Sequence, residues 1–381
     1  IVQEAKREGF KEIFLPLENI VEASLIEDID IYGAQTLREI VDHLTKKKLI
    51  LRTERTPWST KGNRKEPPVD LRDIRGQEEA KRGLLIAATG GHNIAFFGPP
   101  GTGKTMLARA LIGILPELSW DEALEVTSIH SLATLLKDPV ITEPPFRSPH
   151  HTASYVSVIG GGSTPKPGEA TLAHRGVLFL DEFPEFDKRV LESLREPLED
   201  RVVRIARAKG MEEFPAHFLL IAAMNPCPCG NRGSKEKRCV CSPGDISRYK
   251  RKLSGPIIDR IDLWIEVGNI EYEKLSEAPT GNSSTEVRNI VLQGRRRAQE
   301  RLQHLGKKIN SELSARHIEE AVPLTPELKK LLNESAKRLG LSPRAYHKTI
   351  KVARTIADLG EKNEVGAEDI LEALRYRPKA I

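Results

Sequence analysis

Residues 98–105 read Gly98-Pro99-Pro100-Gly101-Thr102-Gly103-Lys104-Thr105, and no other segment constrains this chain so tightly. The octapeptide meets every fixed position of the phosphate-binding pattern G-x-x-x-x-G-K-[ST]. The apolar run Asn93-Ile94-Ala95-Phe96-Phe97 leads in as a buried strand, and Met106 to Ile114 leads out as a helix. A glycine-rich turn between such elements can fold its N–H groups around phosphates at the positive end of the helix dipole. Lys104 then reaches the β- and γ-phosphates, and the Thr105 hydroxyl ligates Mg²⁺. The chain is expected to bind a nucleoside triphosphate.

Hydrolysis needs a second, acidic site. Gly176-Val177-Leu178-Phe179-Leu180-Asp181-Glu182 is an apolar strand ending in two acids, about 75 residues beyond the phosphate loop. Asp181 can hold Mg²⁺ through water, and Glu182 can polarise the attacking water. Acid pairs are common at strand exits; the separation from the phosphate loop is what singles this one out.

With 381 residues the chain should hold two or three domains. Its 39% hydrophobic and 30% charged residues are those of an ordinary soluble protein. No run approaches the roughly 18 apolar residues of a membrane helix, so no span is expected. The net charge of +5 is mild, and the position of the basic residues matters more than their sum. The chain starts without Met and inside a folded pattern, which reads as a fragment lacking its natural N-terminus. With no targeting segment, a cytoplasmic location is expected, where disulfides are rare.

Residues 1–51 read as a small α/β unit, with strands at Glu12–Leu17 and Ile29–Tyr32 and a helix over Thr36–Leu44. Residues 52–70 are polar, Pro-containing and aperiodic, as in a linker. Over 71–278, helices alternate with apolar strands at Asn93–Phe97, Gly176–Leu180 and Phe218–Ala223. That alternation predicts an α/β fold, a parallel sheet with helices on both faces. Residues 279–285 make a second break. From there to residue 381 the pattern is helical, with a long basic helix from Glu286 and three further segments to Tyr376.

Asn225 follows the strand Leu219–Met224 and can orient the attacking water, although Asn-Pro also opens turns. Arg260, in Ile257-Ile258-Asp259-Arg260-Ile261-Asp262-Leu263, can project into a neighbour's nucleotide site or pair with Asp259 or Asp262. Arg344 lies one residue into a helix begun by Pro343 and can sense the γ-phosphate from a helical lid. Gly76-Gln77 carries a weak signal for adenine contact.

Two inserts read as hairpins. The first runs from His151 to Thr171, with alternating Tyr155 to Ile159, a triple glycine and Lys166. The second runs from Arg201 to Phe218 around a Lys209-Gly210 turn. Lys166, Arg204, Arg207 and Lys209 suit phosphate contacts that read no sequence; the alternative is solvated turns. His150 and His151 have no ligand partner at metal spacing and read as structural. The runs Arg248–Lys252 and Arg295–Arg297 read as solvated helix faces. Cys227 and Cys229, nine residues, then Cys239 and Cys241 form a candidate zinc knuckle, although C-x-C is tighter than the usual spacing and free thiols are the alternative.

The phosphate loop with LFLDE, AAMNP, SGPIIDRIDL and SPRAYHKTIKVARTIADL resembles the magnesium-chelatase-like branch of the AAA+ ATPases. Pro145-Phe146-Arg147-Ser148-Pro149-His150-His151-Thr152, with Gly160–Gly162 and Pro167-Gly168-Glu169, resembles the bacterial YifB/ComM family within it. Residues 1–51 are similar to the end of the Lon-protease-like domain that family carries. The resemblance implies an AAA+ core over 71–278, a C-terminal helical lid over 279–381, and ATP with Mg²⁺ as cofactors. It implies Asn225 as first sensor, Arg260 as finger, Arg344 as second sensor, and a homo-hexamer. It also implies a motor on single-stranded or branched DNA, a helicase or branch-migration enzyme linked to natural transformation. Two rivals stand beside it: a chelatase-type motor that drives Mg²⁺ insertion into a tetrapyrrole, and a protein-remodelling motor serving the Lon-like domain. Tyr155 fits the last, because an aromatic pore loop grips polypeptide.

Overall fold

A computed structural model describes residues 1–24, 26–54, 66–133, 140–162, 166–207, 210–233, 237–270 and 281–378. The chain forms two compact units, residues 1–65 with 117–143, and residues 66–116 with 144–381.

In the first unit, β1 (Glu12–Pro16) pairs in parallel with β2 (Asp30–Ala34). The helix Leu37–Leu44 follows, and the Thr36 side chain caps it by accepting from the Glu39 N–H. Ala23, Ile29 and Ile31 make a small core of their own. The segment 117–143 carries the helix Trp120–Leu132, begun by a reciprocal Ser119–Glu122 capping box. Residues 55–65 of the expected linker lie outside the described residues.

The second unit holds the remaining strands: β3 (Ile94–Phe97), β4 (Phe146–Arg147), β5 (Gly160–Gly161), β6 (Lys166–Pro167), β7 (Val177–Leu180), β8 (Val202–Arg207), β9 (Gly210–Pro215), β10 (Leu219–Met224) and β11 (Leu263–Glu266). Five of them form one parallel sheet in the order β11-β3-β10-β7-β4. Three were legible as apolar runs. β4 escapes because it is two residues long, and β11 because its apolar run, Leu263-Trp264-Ile265, is only three residues long and follows the charged stretch Asp259–Asp262.

Period-two geometry divides each strand between two cores. Ile94 and Phe96, Val177 and Phe179, and Ile221 and Ala223 face one cluster with the helices 78–90 and 104–114. Ala95, Leu178, Leu180, Leu220 and Ala222 face the other. Both faces are therefore covered, which is why these strands carry no polar alternation.

The C-terminal region consists of helices Ser284–Leu302, Ala315–Ala321, Pro326–Leu339, Pro343–Leu359 and Ala367–Arg375, four after the basic helix rather than three. The Arg295–Arg297 run is not a solvated face throughout. Arg295 donates to the Ala88 carbonyl at 2.9 and 2.7 Å, at the negative end of the helix Glu78–Gly90. Arg297 donates to the Asp358 carbonyl at 3.1 Å, and among the described residues Arg296 pairs with the exposed Glu300.

The first insert departs from expectation. Tyr155–Ile159 is a helical turn, because the Ser154 side chain caps it and Val158 and Ile159 both turn inward. Gly160, Gly161 and Gly162 then take φ of 109, 139 and 102°, ending the helix and leaving only the short antiparallel pair β5–β6. The second insert is the expected hairpin, β8 against β9 from Val202↔Pro215 to Arg207↔Gly210. Lys209, at its turn, lies outside the described residues.

His92 is fully buried, with Nε2 2.8 Å from Thr355 Oγ1, and burial pushes its imidazole down to about 4. Desolvation beside Arg201 and Arg175 lowers His217 as well. Both rings stay neutral in the fold while the unfolded chain protonates near pH 6.5. The unfolded state therefore binds more protons between about pH 6.5 and 4, and stability falls as pH drops through that window. Melting temperatures measured across it should decline steadily; a flat profile would contradict this account.

Candidate nucleotide-binding site

β3 ends at Phe97, and residues 98–103 turn the chain into the helix Lys104–Ile114. Gly103 has φ 89°, a left-handed value that costs glycine nothing. Gly98 is required for space: a Cβ there would lie 2.0 Å from the Val267 carbonyl oxygen, just past β11. The Thr102 hydroxyl donates to the Pro99 carbonyl at 3.0 Å and draws the loop together.

Lys104 is 8% exposed. Its ammonium donates to the carbonyls of Gly98 and Pro99 at 2.8 and 2.7 Å, and to Asn225 Oδ1 at 3.4 Å. Burial lowers its pKa and the nearby Asp181 carboxylate raises it. A buried cation whose direct partners are neutral oxygens gains most from an anion, so the loop can take up a phosphate.

The acids lie beside it. The Thr105 hydroxyl is 3.1 Å from Asp181 Oδ2, so two Mg²⁺-type oxygen ligands converge where β7 ends. Asp181 Oδ1 accepts from the Glu182 N–H at 2.9 Å, and Glu182 takes the left-handed φ of 51°. Holding a non-glycine residue there costs about 1–3 kcal/mol, and it turns the Glu182 side chain out of the strand direction. Asn225 stands at the tip of β10, between the strands that carry the loop and the acids. These groups gather at the C-terminal ends of parallel strands, where such sheets bind ligands.

His151 belongs to this site, a role its sequence context did not suggest. Its Nδ1 lies 2.8 Å from Glu182 Oε2. The reason is topological: β4 is the neighbour of β7, so the segment after β4 passes the acids at the end of β7. Gln77 donates to the Gly268 carbonyl at 2.7 Å, close to the Val267 that packs on Gly98.

Arg260 and Arg344 stand elsewhere. The side-chain amide of Asn93, the residue before β3, donates to the Arg260 carbonyl at 3.0 Å. Arg260 therefore sits at the N-terminal end of β3, whereas the phosphate loop leaves its C-terminal end. Four residues at about 3.3 Å each put roughly 13 Å of strand between them. Arg260 is 5% exposed, and its donors go to the Arg195 carbonyl at 3.1 Å, the Pro256 carbonyl at 2.8 Å and the Glu199 carboxylate, not to Asp259 or Asp262. Arg344 binds the other oxygen of Glu199 at 2.5 Å. Burial lowers the Arg260 pKa and Arg344 adds to this, so two guanidinium groups crowd one carboxylate. Arg344, expected to sense a γ-phosphate from the lid, stands with Arg260 on Glu199 at the sheet end remote from this chain's phosphate loop.

Of the residues expected to grip phosphates, Lys166 is exposed on β6 and Arg207 lies opposite Gly210 in the hairpin. Arg204 is already engaged. Its guanidinium meets Glu196 at 2.8 Å, Glu213 at 2.9 Å and Asp200 at 3.4 Å. A phosphate would have to compete with these three carboxylates for it.

The four cysteines do converge. Cys227 Sγ lies 3.5 Å from Cys229 Sγ and 3.7 Å from Cys239 Sγ, and Cys229 and Cys239 are 3.7 Å apart. Cys241 Sγ accepts from the Cys229 N–H at 3.4 Å, and all four sulfurs fall within 4.8 Å of one another. Hydrogen bonds from the backbone of Asn231 and Val240 pull the Cys229 thiol down to about 6.

Residues 70–275 match the family model described as magnesium chelatase, subunit ChlI, and residues 281–377 match the model of its C-terminal part. The chain is 44% identical over 376 residues to competence protein ComM of Haemophilus influenzae, covering 98% of this chain and 73% of that protein. It is 42% identical over 378 residues to the protein YifB of Salmonella typhimurium, at 98% and 72% coverage.

Proposed function

The chain belongs to the YifB/ComM family of magnesium-chelatase-like AAA+ proteins, and from that premise we propose that it is an ATP-driven ring motor acting on DNA. ATP and Mg²⁺ are its cofactors: residues 98–105 hold the triphosphate, Thr105 and Asp181 hold the metal, and Glu182 activates water that Asn225 helps to place. The single observation that carries the ring is the sharing of Glu199 by Arg260 and Arg344 at the sheet end remote from the phosphate loop. From there neither arginine can serve its own nucleotide, and both can serve a neighbour's. A homo-hexamer in the cytoplasm is the assembly that the family resemblance adds to this reading.

DNA as the track is supported by the basic hairpin residues Lys166, Arg207 and Lys209 and by the competence name of the Haemophilus influenzae relative. Residues 1–51 belong, on this reading, to a Lon-like domain, and the work done is helicase or branch-migration work in transformation and recombination. The protein-remodelling alternative has its own observation. Tyr155, Val156 and Met211 are 46, 50 and 67% exposed on the two inserts, as a polypeptide grip would need.

The test is ATPase activity and binding with single-stranded, double-stranded and branched DNA. Affinity should fall with salt at a log–log slope of about −0.9 per phosphate neutralised on duplex. Neutralising Arg207 and Lys209 together should flatten that slope and weaken binding alike on unrelated sequences, since backbone contacts carry no base information. Basal hydrolysis should persist, while stimulation by DNA fades. A parent chain that binds no DNA at low salt with ATP present would overturn the DNA reading in favour of the chelatase-type or protein-remodelling motor.

A further inference from the structure

We propose that Cys227, Cys229, Cys239 and Cys241 form a closed structural zinc site whose purpose is to brace the phosphate loop. The role of the brace rests on reading residues 98–105 as the nucleotide site; the metal site does not.

The distances argue for the metal. A tetrahedral ZnS₄ centre with Zn–S of about 2.3 Å has sulfurs about 3.8 Å apart. The separations of 3.5, 3.7 and 3.7 Å approach that edge, and a disulfide would need about 2.05 Å. All four thiols are free. Four sulfur ligands fill a tetrahedron and leave no position for water or substrate, the mark of a structural rather than a catalytic zinc.

The loop has reason to need it. Between Met224 and Pro243 none of the described residues is in a helix or strand. Its one large aliphatic side chain, Val240, is 81% exposed and Cys227 is its only buried hydrophobic residue among those described, so the loop has little hydrophobic core of its own. A metal joining its two ends replaces that core.

The brace follows from what the loop touches. The turn Cys227–Gly230, closed by the Gly230 N–H donating to the Cys227 carbonyl at 3.0 Å, carries two of the four ligands. Gly230 has φ 77°, and a Cβ on it would lie 2.7 Å from Pro100 Cδ and 3.8 Å from Asn225 Cγ. The metal-bearing turn thus lies directly against the phosphate loop and against the residue that shares Lys104. Freed of metal, it would let both drift, and misplacement of about 1 Å at a reacting centre can cost about 100-fold.

The experiment begins with metal analysis of the chain purified without added metal, where about one zinc per chain is expected. An organomercurial then strips the metal, the released zinc is counted, and fluorescent-ATP affinity is measured before stripping, after it, and after zinc is restored, with circular dichroism alongside. The expected result is a loss of affinity on the order of tenfold or more on stripping, reversed by zinc. Gly230→Ala keeps all four thiols and pushes a methyl group toward Pro100, so it should retain zinc yet lose affinity even if the stripped chain unfolds. Iron in place of zinc, or no metal and four freely reactive thiols, would overturn the site. Zinc present, with both the stripped chain and Gly230→Ala binding nucleotide like the parent, would overturn the brace. Failure of the untreated, zinc-loaded chain to bind ATP would sink the phosphate-loop reading and the brace with it, leaving the metal count unaffected.

Discussion

Glu182→Gln should leave nucleotide binding intact and lower hydrolysis by about 10²–10⁴-fold, the usual worth of a positioned general base. The substitution keeps the shape of the side chain and its place beside Asp181 and His151, and removes only the negative charge that polarises water. Lys104→Ala should abolish binding itself. The Lys104 ammonium is buried among the Gly98, Pro99 and Asn225 oxygens, and no other described cation bonds these oxygens. Fluorescent-nucleotide titration with a phosphate-release assay separates the two effects. Turnover near the parental rate in Glu182→Gln would remove Glu182 from the reaction and leave the acid to its hydrogen bond with His151.

Arg260→Ala should depress hydrolysis by about 10³–10⁵-fold, the range of a trans-acting arginine, while nucleotide affinity stays close to parental. The sheet supplies the reason. Arg260 stands at the N-terminal end of β3 and the phosphate loop at its C-terminal end, so on the ring reading the arginine acts on a neighbour's triphosphate and not on its own. To do so it must leave Glu199, which it shares with Arg344. Mixing Arg260→Ala with Lys104→Ala subunits should restore part of the activity, because some interfaces then join an intact loop to an intact arginine. A melting curve guards against a merely structural effect, since Arg260 is also tied to Arg195 and Pro256. No recovery in mixed rings shown to assemble would assign the arginine to the fold alone.

Local chemistry was enough to read the geometry of the candidate nucleotide site. The loop Gly98–Thr105, its strand and its helix are contiguous, so the backbone N–H groups, Lys104 and Thr105 are placed by one turn of chain. The pair Asp181-Glu182 was legible for the same reason, at the end of an apolar strand whose burial left no polar alternation. The cysteine pairs were legible as a spacing, and their convergence within 4.8 Å bears out that they are one cluster. Alternation misled at Tyr155–Ile159, where the Ser154 cap and the following glycines outweigh strand propensity.

What the sequence determined by itself was therefore everything carried within one turn or one strand: the phosphate loop, the two acids, the apolar strands and the helical C-terminal region. Only the tertiary structure decided which of those pieces meet. Pairing β4 with β7 brought His151 to Glu182, and the packing of three separate helical segments put Arg260 and Arg344 together on Glu199, at the sheet end remote from the phosphate loop. It also surrounded Arg204 with three carboxylates and laid Gly230 against Pro100. These contacts join residues far apart in the chain, and strand order has no signature in local composition. They depend on how the whole sheet is assembled.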